Sequence, residues 1–408
     1  MPCPPSADVP AGGGRRRRQS GQTLVLGAVC MAALMGMAAL SVDIGAAYFQ
    51  KTKLQTVADG AAVAGASELE YGDVATAAQR AAALNSFTDG SNGDTLTVNN
   101  PPLSGPHTGN AQYVEVIATQ SQPTYFLKVF GIHTVNIHAR AVGYLGAGPG
   151  CVYALDPSAS GAVTLNGTFT LKLQCAMYVD SNSGQALLAN GNGSVTAKSV
   201  GVVGGILNNG PVSITPTPVG GMIPLSDPLA YLAPPSTTGS CTSPTIINGS
   251  GTFTINAGVY CSTLIINGSP NVIVNPGTYV FKSGIIMNGT PTLTGSGVTF
   301  YNAGGSFTLN GSGSSSLSAP TTGPYAGILV FQSRSDSSQL TLNGGTSSVF
   351  NGAVYSPDAR IVDNGTGTVS AYSILIGDTI TVNGTGNIND DFSSLPAGSP
   401  IKAALLVE

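Results

Sequence analysis

Tryptophan is absent from this 408-residue sequence, and Asp, Glu, Lys and Arg together make up only 8% of it. An ordinary soluble domain carries about 25% charged residues. Affinity for nucleic acid rests on many Lys and Arg facing phosphates, and 15 such residues against 19 acidic ones, a net charge of −4, exclude that class of partner. With so small a net charge and 42% hydrophobic residues, the chain is not of the charge-rich disordered kind either. Histidine is scarce, at three residues, which leaves little from which to build an imidazole metal site. Glycine is abundant, at 55 residues, as are Ser, Thr and Asn, and there are 26 prolines. The glycines follow no G-x-y repeat, so a collagen-like rod is excluded. The composition is that of an exported, β-leaning protein.

One long apolar run lies near the start. Arg15, Arg16, Arg17 and Arg18 close a Pro/Gly-rich opening, and the 19 residues 24–42 (LVLGAVCMAALMGMAALSV), from Leu24 to Val42, contain no charge. As a helix that run extends about 28 Å, the thickness of one hydrocarbon core. A secretory leader has a shorter apolar core, about 7–15 residues, ahead of a small-residue cleavage site. Basic residues before the run and Asp43 after it place the amino terminus in the cytoplasm and the rest outside the cytoplasmic (inner) membrane, as a single-pass protein. Ala28, Ala32 and Gly36 form a small-residue stripe of the kind that seats a partner helix. Residues 43–87 hold no proline and are rich in Ala, Gln and Leu, which predicts a helical stalk with a break near residues 70–72, where Gly72 interrupts the pattern.

The order of motifs here resembles the amino-terminal segment of TadE/TadG-like Flp pilus-assembly proteins. The matching residues are Gly21, Gln22, Leu24 and Val25, then Val42, Asp43, Gly45 and Tyr48, then Leu54, Gln55, Ala58, Asp59, Ala61, Ala62, Ala64, Gly65 and Ala66. Members with a processed leader carry Glu five positions after the Gly; Leu26 stands there instead. The chain therefore looks like the unprocessed, membrane-retained TadG type. The resemblance covers about fifty residues and implies a role in Flp pilus assembly, other assembly components as partners, and no cofactor.

Residues 95–145 read as a small α+β unit. Residues 113–120 (YVEVIATQ) and 134–144 (TVNIHARAVGY) alternate apolar and polar side chains as half-buried strands do, and residues 124–132 (TYFLKVFGI) make a short apolar piece between them. The histidines His107, His133 and His138 fall here. His133 and His138 have opposite strand parity and do not converge on one face, so they are read as surface residues and no metal site is expected.

Beyond a Gly/Pro linker at 146–150 the composition shifts to recurring Asn-Gly pairs. Asn248, Asn267, Asn288 and Asn310 are spaced 19, 21 and 22 apart, Asn343, Asn364 and Asn383 are spaced 21 and 19, and Asn166 and Asn190 are 24 apart. Short alternating runs such as TLIIN and NVIVN lie between them. A period near twenty with two or three strands per repeat is that of a parallel β-helix, in which no coil buries its own apolar side chains but a stack of coils does. Asn-Gly also makes hairpin turns, so an antiparallel array is the rival; a period held over several units favours the helix. Residues 211–244 contain eight prolines, too many for a coil, and read as an excursion loop.

Four cysteines lie on the exported side. Cys241 and Cys261 are 20 apart, one coil, and Cys151 and Cys175 are 24 apart, one coil with an insertion. Stacked coils bring such pairs within disulfide reach, although four cysteines allow three connectivities. Many β-helices act on polysaccharides, and glycoside hydrolysis needs two carboxylates across the bond. The best group is Asp358, Arg360, Asp363 and Asp378, but Asp363 and Asp378 are 15 apart, less than one coil. Asp390 and Asp391 fall at the last coil, where a polar cap is expected. No catalytic, cofactor-binding or metal residue is assigned.

The expected chain is membrane-anchored. A cytoplasmic basic tail (1–20) leads into a transmembrane helix (21–42), a periplasmic helical stalk (43–87) and a small α+β module (88–149). An all-β right-handed parallel β-helix (150–395) follows, then a tail (396–408). Three functions compete: a non-enzymatic component anchoring or scaffolding Flp/Tad pilus assembly, a surface adhesin or carbohydrate-binding stalk, and a polysaccharide-active enzyme. In the first, the β-helix would meet peptidoglycan, the outer membrane or surface polysaccharide.

Overall fold

The computed structural model describes residues 20–69, 72–91, 93–148, 150–222, 224–311, 315–344, 348–364, 373–388, 392–396 and 398–407. Arg15 to Arg18, Asp390 and Asp391 lie outside them. The chain divides into two compact units, residues 1–144 and residues 145–405, with Leu406 and Val407 grouping with the first.

In the first unit a single helix, α1 (Ser20–Ser67), runs 48 residues, about 72 Å at 1.5 Å per residue. No proline interrupts it, and alanine, the best helix former, is its commonest residue. Its two halves differ in what surrounds them. From Leu24 through Val42 almost every side chain is exposed despite being apolar, and this half is long and apolar enough to cross a membrane. Farther on, Leu54, Val57, Ala58, Ala61, Ala62 and Ala66 are buried, at the three- and four-residue spacing of one helix face. The helix ends at Ser67, and α2 (Val74–Leu84) follows Gly72, which sits at φ +83°. The break falls where the sequence predicts it.

Three strands, β1 (Thr95–Asn99), β2 (Tyr113–Pro123) and β3 (Thr134–Ala147), pair antiparallel in the module. The alanine stripe of α1 lets the helix lie directly on β2 and β3. A Cβ on Gly143 would come within 2.4 Å of the Ala62 carbonyl oxygen, so the glycine is what permits that approach. The Val407 N–H donates to the Val142 carbonyl, adding the far end of the chain to this unit.

The second unit is a parallel β-solenoid of about ten turns. A complete turn has three strands, as in Leu264–Gly268, Asn271–Val274 and Gly277–Phe281, and the next turn lies on it residue for residue: Leu264 on Ile285, Val272 on Leu293, Tyr279 on Phe300. One inward column runs Leu264, Ile285, Phe307, Leu340, Ile361, Ile380, Val163, Leu187 and Ile206. Each turn alone leaves such side chains half covered; stacking about 4.8 Å apart removes the remainder from water. Tyr260, Tyr279, Phe281, Phe300 and Phe307 pack ring against ring in the interior, all fully buried.

The order of that column exposes a topology that the periodicity does not reveal. The turns do not stack in chain order. Residues 380–382, in the last turn of the chain, pair with residues 163–165 in its first, while residues 246–249 form one edge of the stack and residues 212–215 the other. The solenoid is wound from the middle: the chain enters beside its own exit and builds turns to one end. It then crosses to the opposite end and winds back. The polar cap expected at residues 390–391 lies outside the described residues, and the turn before them is covered by the Val163–Leu173 strand and is interior to the stack. Any turn of this period offers the same ladder to any other, so the sequence pattern is blind to their order.

The crossing is made by the proline-rich stretch. Val212–Thr215 still pairs with residues 193–196 as a strand, and from Pro216 the chain becomes a strap over one face. Val219 bridges to Gly201 at one end and Cys241 to Val259 at the other. Between these the strap passes nine strands, about 38 Å across their eight spacings of about 4.8 Å. Its prolines lack the N–H that would add it to a sheet, and side chains from the solenoid hold it. Arg334 donates to the carbonyls of Leu232 at 3.0 Å and Leu229 at 2.7 Å, and Tyr355 donates its hydroxyl to Asp227. The disulfide Cys241–Cys261 joins the strap to the first turn it reaches, with Cα atoms 5.4 Å apart, and Cys151–Cys175 joins two neighbouring turns at 5.7 Å.

An asparagine column runs the height of the stack. Asn267 donates to Asn248, Asn288 to Asn267, Asn343 to Asn310, Asn364 to Asn343 and Asn383 to Asn364. Asn166 then donates to Asn383, Asn190 to Asn166 and Asn209 to Asn190. Asn310 departs from the pattern and donates to the Met287 carbonyl. The column joins the three sequence series into one and adds Asn209, which the sequence reading passes over. At Gly167, Gly191, Gly249, Gly268, Gly289 and Gly384 the glycine after the asparagine turns the corner: Gly289 has φ +105°, and a Cβ there would lie 2.3 Å from the Gly268 carbonyl oxygen.

Candidate functional site

The feature that joins the exposed helix to the folded module is Asp43. It lies one residue beyond the uncharged run and is buried. Its carboxylate accepts three backbone N–H bonds, from Tyr125 at 2.7 Å, Phe126 at 2.9 Å and Leu127 at 2.6 Å. Those N–H groups open a single 3-10 turn, Leu127–Phe130, and a turn of this kind leaves its first donors unpaired. A carboxylate is a strong acceptor there. The chain after the turn reverses at Gly131, φ +81°, and Thr124 closes the loop by donating to the Ile132 carbonyl. One side chain of the helix thus fixes an entire apolar loop 82 to 84 residues later.

A second polar centre holds the sheet. Glu115, fully buried, accepts from Asn99 at 2.9 Å, Arg140 Nε at 2.7 Å, the Leu103 N–H at 3.1 Å and Ser104. Burial by itself raises a carboxyl, but the hydrogen bonds from Ser104, Asn99, Arg140 and Leu103 outweigh it and hold Glu115 down at about 2. Gln55 ties this centre to α1, donating to Asp59 at 2.7 Å and to the Arg140 carbonyl at 2.9 Å. Along α1, Gln50, Lys53, Leu54 and Val57, with Leu84, Phe87 and Gln120, border a groove of about 470 Å³.

The family-motif residues divide by role. Asp43 clamps the loop and Asp59 orients Gln55. Leu54, Ala58, Ala61 and Ala62 are packing residues of the stalk face. Tyr48 is exposed, and Gly45 has open space around its α-carbon. Gly21 and Gln22 lie in α1, with side chains outside the described residues. Of the small-residue stripe, Gly36 lines a cavity against the 125–132 loop, and Ala28 and Ala32 are exposed. The sequence reading marks 124–132 as apolar but misses its bond to Asp43, because nothing local in either segment encodes a contact more than eighty residues away.

The remaining candidates fall elsewhere. His107 stacks on Tyr113 with ring centroids 4.1 Å apart, and His138 Nδ1 lies 3.1 Å from the Thr119 hydroxyl. Among the described residues no three His, Cys, Asp or Glu side chains are placed to hold a metal. In the solenoid, Asp363 occupies the register position of Leu342 and Val382 in the turns beside it. Arg360 donates to the Thr381 hydroxyl. Asp378 lies in the bend after residue 377, where burial, then the charges of Asp156 and Asp358, raise its carboxyl above the ordinary range.

Comparison with known proteins agrees with the amino-terminal geometry. Residues 21–68 match the family described as Flp pilus-assembly TadE/G-like, and residues 50–142 match the family described as Tad-like Flp pilus-assembly. Together the matches span residues 21–142, nearly all of the first unit. No curated protein and no solved structure matches the chain. The first unit is thus similar to Tad-like Flp pilus-assembly proteins over residues 21–142, its helix is long and apolar enough to cross a membrane, and a β-solenoid follows it in the chain.

Proposed function

We propose that this chain is a non-enzymatic component of Flp/Tad-type pilus assembly, held in the cytoplasmic membrane by residues 21–42 as a single span. Its amino terminus lies in the cytoplasm, and the stalk, module and solenoid lie outside. The observation that carries this reading is the coincidence of two consecutive family matches with one structural unit, in which Asp43 couples the apolar helix to the module. The unit scaffolds other assembly components. The solenoid, with its Ser, Thr and Asn surface and little charge, faces peptidoglycan, the outer membrane or surface polysaccharide. Deleting the gene tests this: surface fibres disappear if the chain serves assembly. Fibres that persist while attachment to surfaces is lost make it an adhesin instead.

A further inference from the structure

The loop clamped by Asp43 is apolar on its outer side. Val129 is 80% exposed and Phe130 81% exposed, and Tyr125, Phe126 and Ile132 beside them are exposed as well. A water-facing loop of this composition is unusual; an apolar patch of contiguous side chains marks a surface that something covers. Between the loop and α1 lies a cavity of about 350 Å³, walled by Gly36, Ala39 and Leu40 on one side and by Phe126, Leu127, Val129 and Phe130 on the other. The first wall belongs to the uncharged run 24–42. Gly36 is seven residues before Asp43, about 10 Å lower along the helix axis at 1.5 Å per residue. Around the helix exit stand the side chains that favour a membrane–water boundary: Tyr48 and Tyr125, both exposed, with Lys51, Lys53 and Lys128.

We propose that residues 125–132 are a second membrane-contacting element, which dips beside the span into the leaflet the helix exits through, with a lipid acyl chain filling the cavity against Gly36, Ala39 and Leu40. The proposal rests on reading 24–42 as the membrane span. Continuity with that apolar surface is what selects lipid as the occupant. The cavity opens on the stretch a bilayer core would cover, and the loop's reach of about 10 Å matches the depth of interfacial elements, about 5–10 Å. Lys128 then sits where its ammonium meets lipid headgroups. Asp43 gains a purpose beyond capping. Its three N–H bonds keep the loop from folding away, so the module is held to the bilayer at two points rather than swinging on one helix.

The absence of tryptophan makes the test direct, because a single introduced Trp reports without background from another. The full chain is reconstituted into phosphatidylcholine–phosphatidylglycerol vesicles, with and without bromine on the acyl chains. Three variants are compared: Val129→Trp in the loop, Leu34→Trp in the span and Leu103→Trp on the exposed module surface. All three replace exposed side chains. The expected result is at least an about two-fold loss of emission for Val129→Trp in brominated vesicles, as for any side chain within the acyl region, with Leu34→Trp also quenched and Leu103→Trp unchanged. If Leu34→Trp is quenched and Val129→Trp behaves as Leu103→Trp does, the loop is not in lipid and the proposal falls while the span stands. If neither is quenched, the span reading has failed and the proposal with it. If Val129→Trp escapes quenching only when a second copy can be cross-linked through the loop, a protein helix fills the cavity and lipid does not.

Discussion

Asn364 donates to Asn343 and accepts from Asn383, so its amide serves two neighbours. Replacing it by Ala orphans a donor on one side and an acceptor on the other, at a cost of about 1–3 kcal/mol. Asn248, at the edge, has one such bond, and Asn248→Ala should cost about half as much; denaturant midpoints of the two variants followed by circular dichroism would show the difference. Gly289→Ala meets both a positive φ and the Gly268 carbonyl, and a loss of about 2 kcal/mol is expected by the same measurement. Glu115 supplies the pH dependence. Its folded value of about 2 lies below the ordinary 4.5, so its stabilisation is fully present above pH 4.5 and is lost as pH falls toward 2. Thermal melting of Glu115→Gln should show a lower midpoint at neutral pH and less acid sensitivity than the parent in that window.

At the scale of elements, the strap is the piece whose attachment can be cut. Arg334 reaches it through the carbonyls of Leu229, Ala230 and Leu232 while its guanidinium lies over Phe331 and Tyr355. Cys241–Cys261 closes a 20-residue separation, a constraint worth roughly 3 kcal/mol in the chain-entropy account. Cys241→Ser with Cys261→Ser should leave the solenoid's strand content intact and make residues 222–241 sensitive to limited proteolysis, which mass spectrometry of the fragments would locate. Much of this level is legible in the sequence. The helix, its break at Gly72, the strands at 113 and 134 and the twenty-residue period all follow from local pattern, and the cysteine spacings fit one coil each. The strap's route does not, because prolines say only that a segment leaves the sheets, and not where it goes.

At the scale of the whole chain, the winding order is the claim furthest from the sequence. Chain order would set Asn209 next to Asn248, whereas the structure sets Asn166 against Asn383, 217 positions away, at 3.0 Å. The pair Asn166→Cys/Asn383→Cys should therefore oxidise to a cross-link found by non-reducing peptide mapping, and Asn209→Cys/Asn248→Cys should not; the opposite outcome would restore a solenoid stacked in sequence. The contact of Asp43 with the loop at 125–127 was hidden for the same reason: a single carboxylate and an apolar loop acquire meaning only when the fold sets them together. The proposed function rests at this scale as well, on the similarity of residues 21–142 to Tad-like Flp pilus-assembly families. The most direct test is a count by electron microscopy of fibres sheared from the parent, a deletion strain and that strain complemented with the intact gene. The account predicts fibres in the first, none in the second and their return in the third. A deletion strain with the parental number of fibres would contradict it.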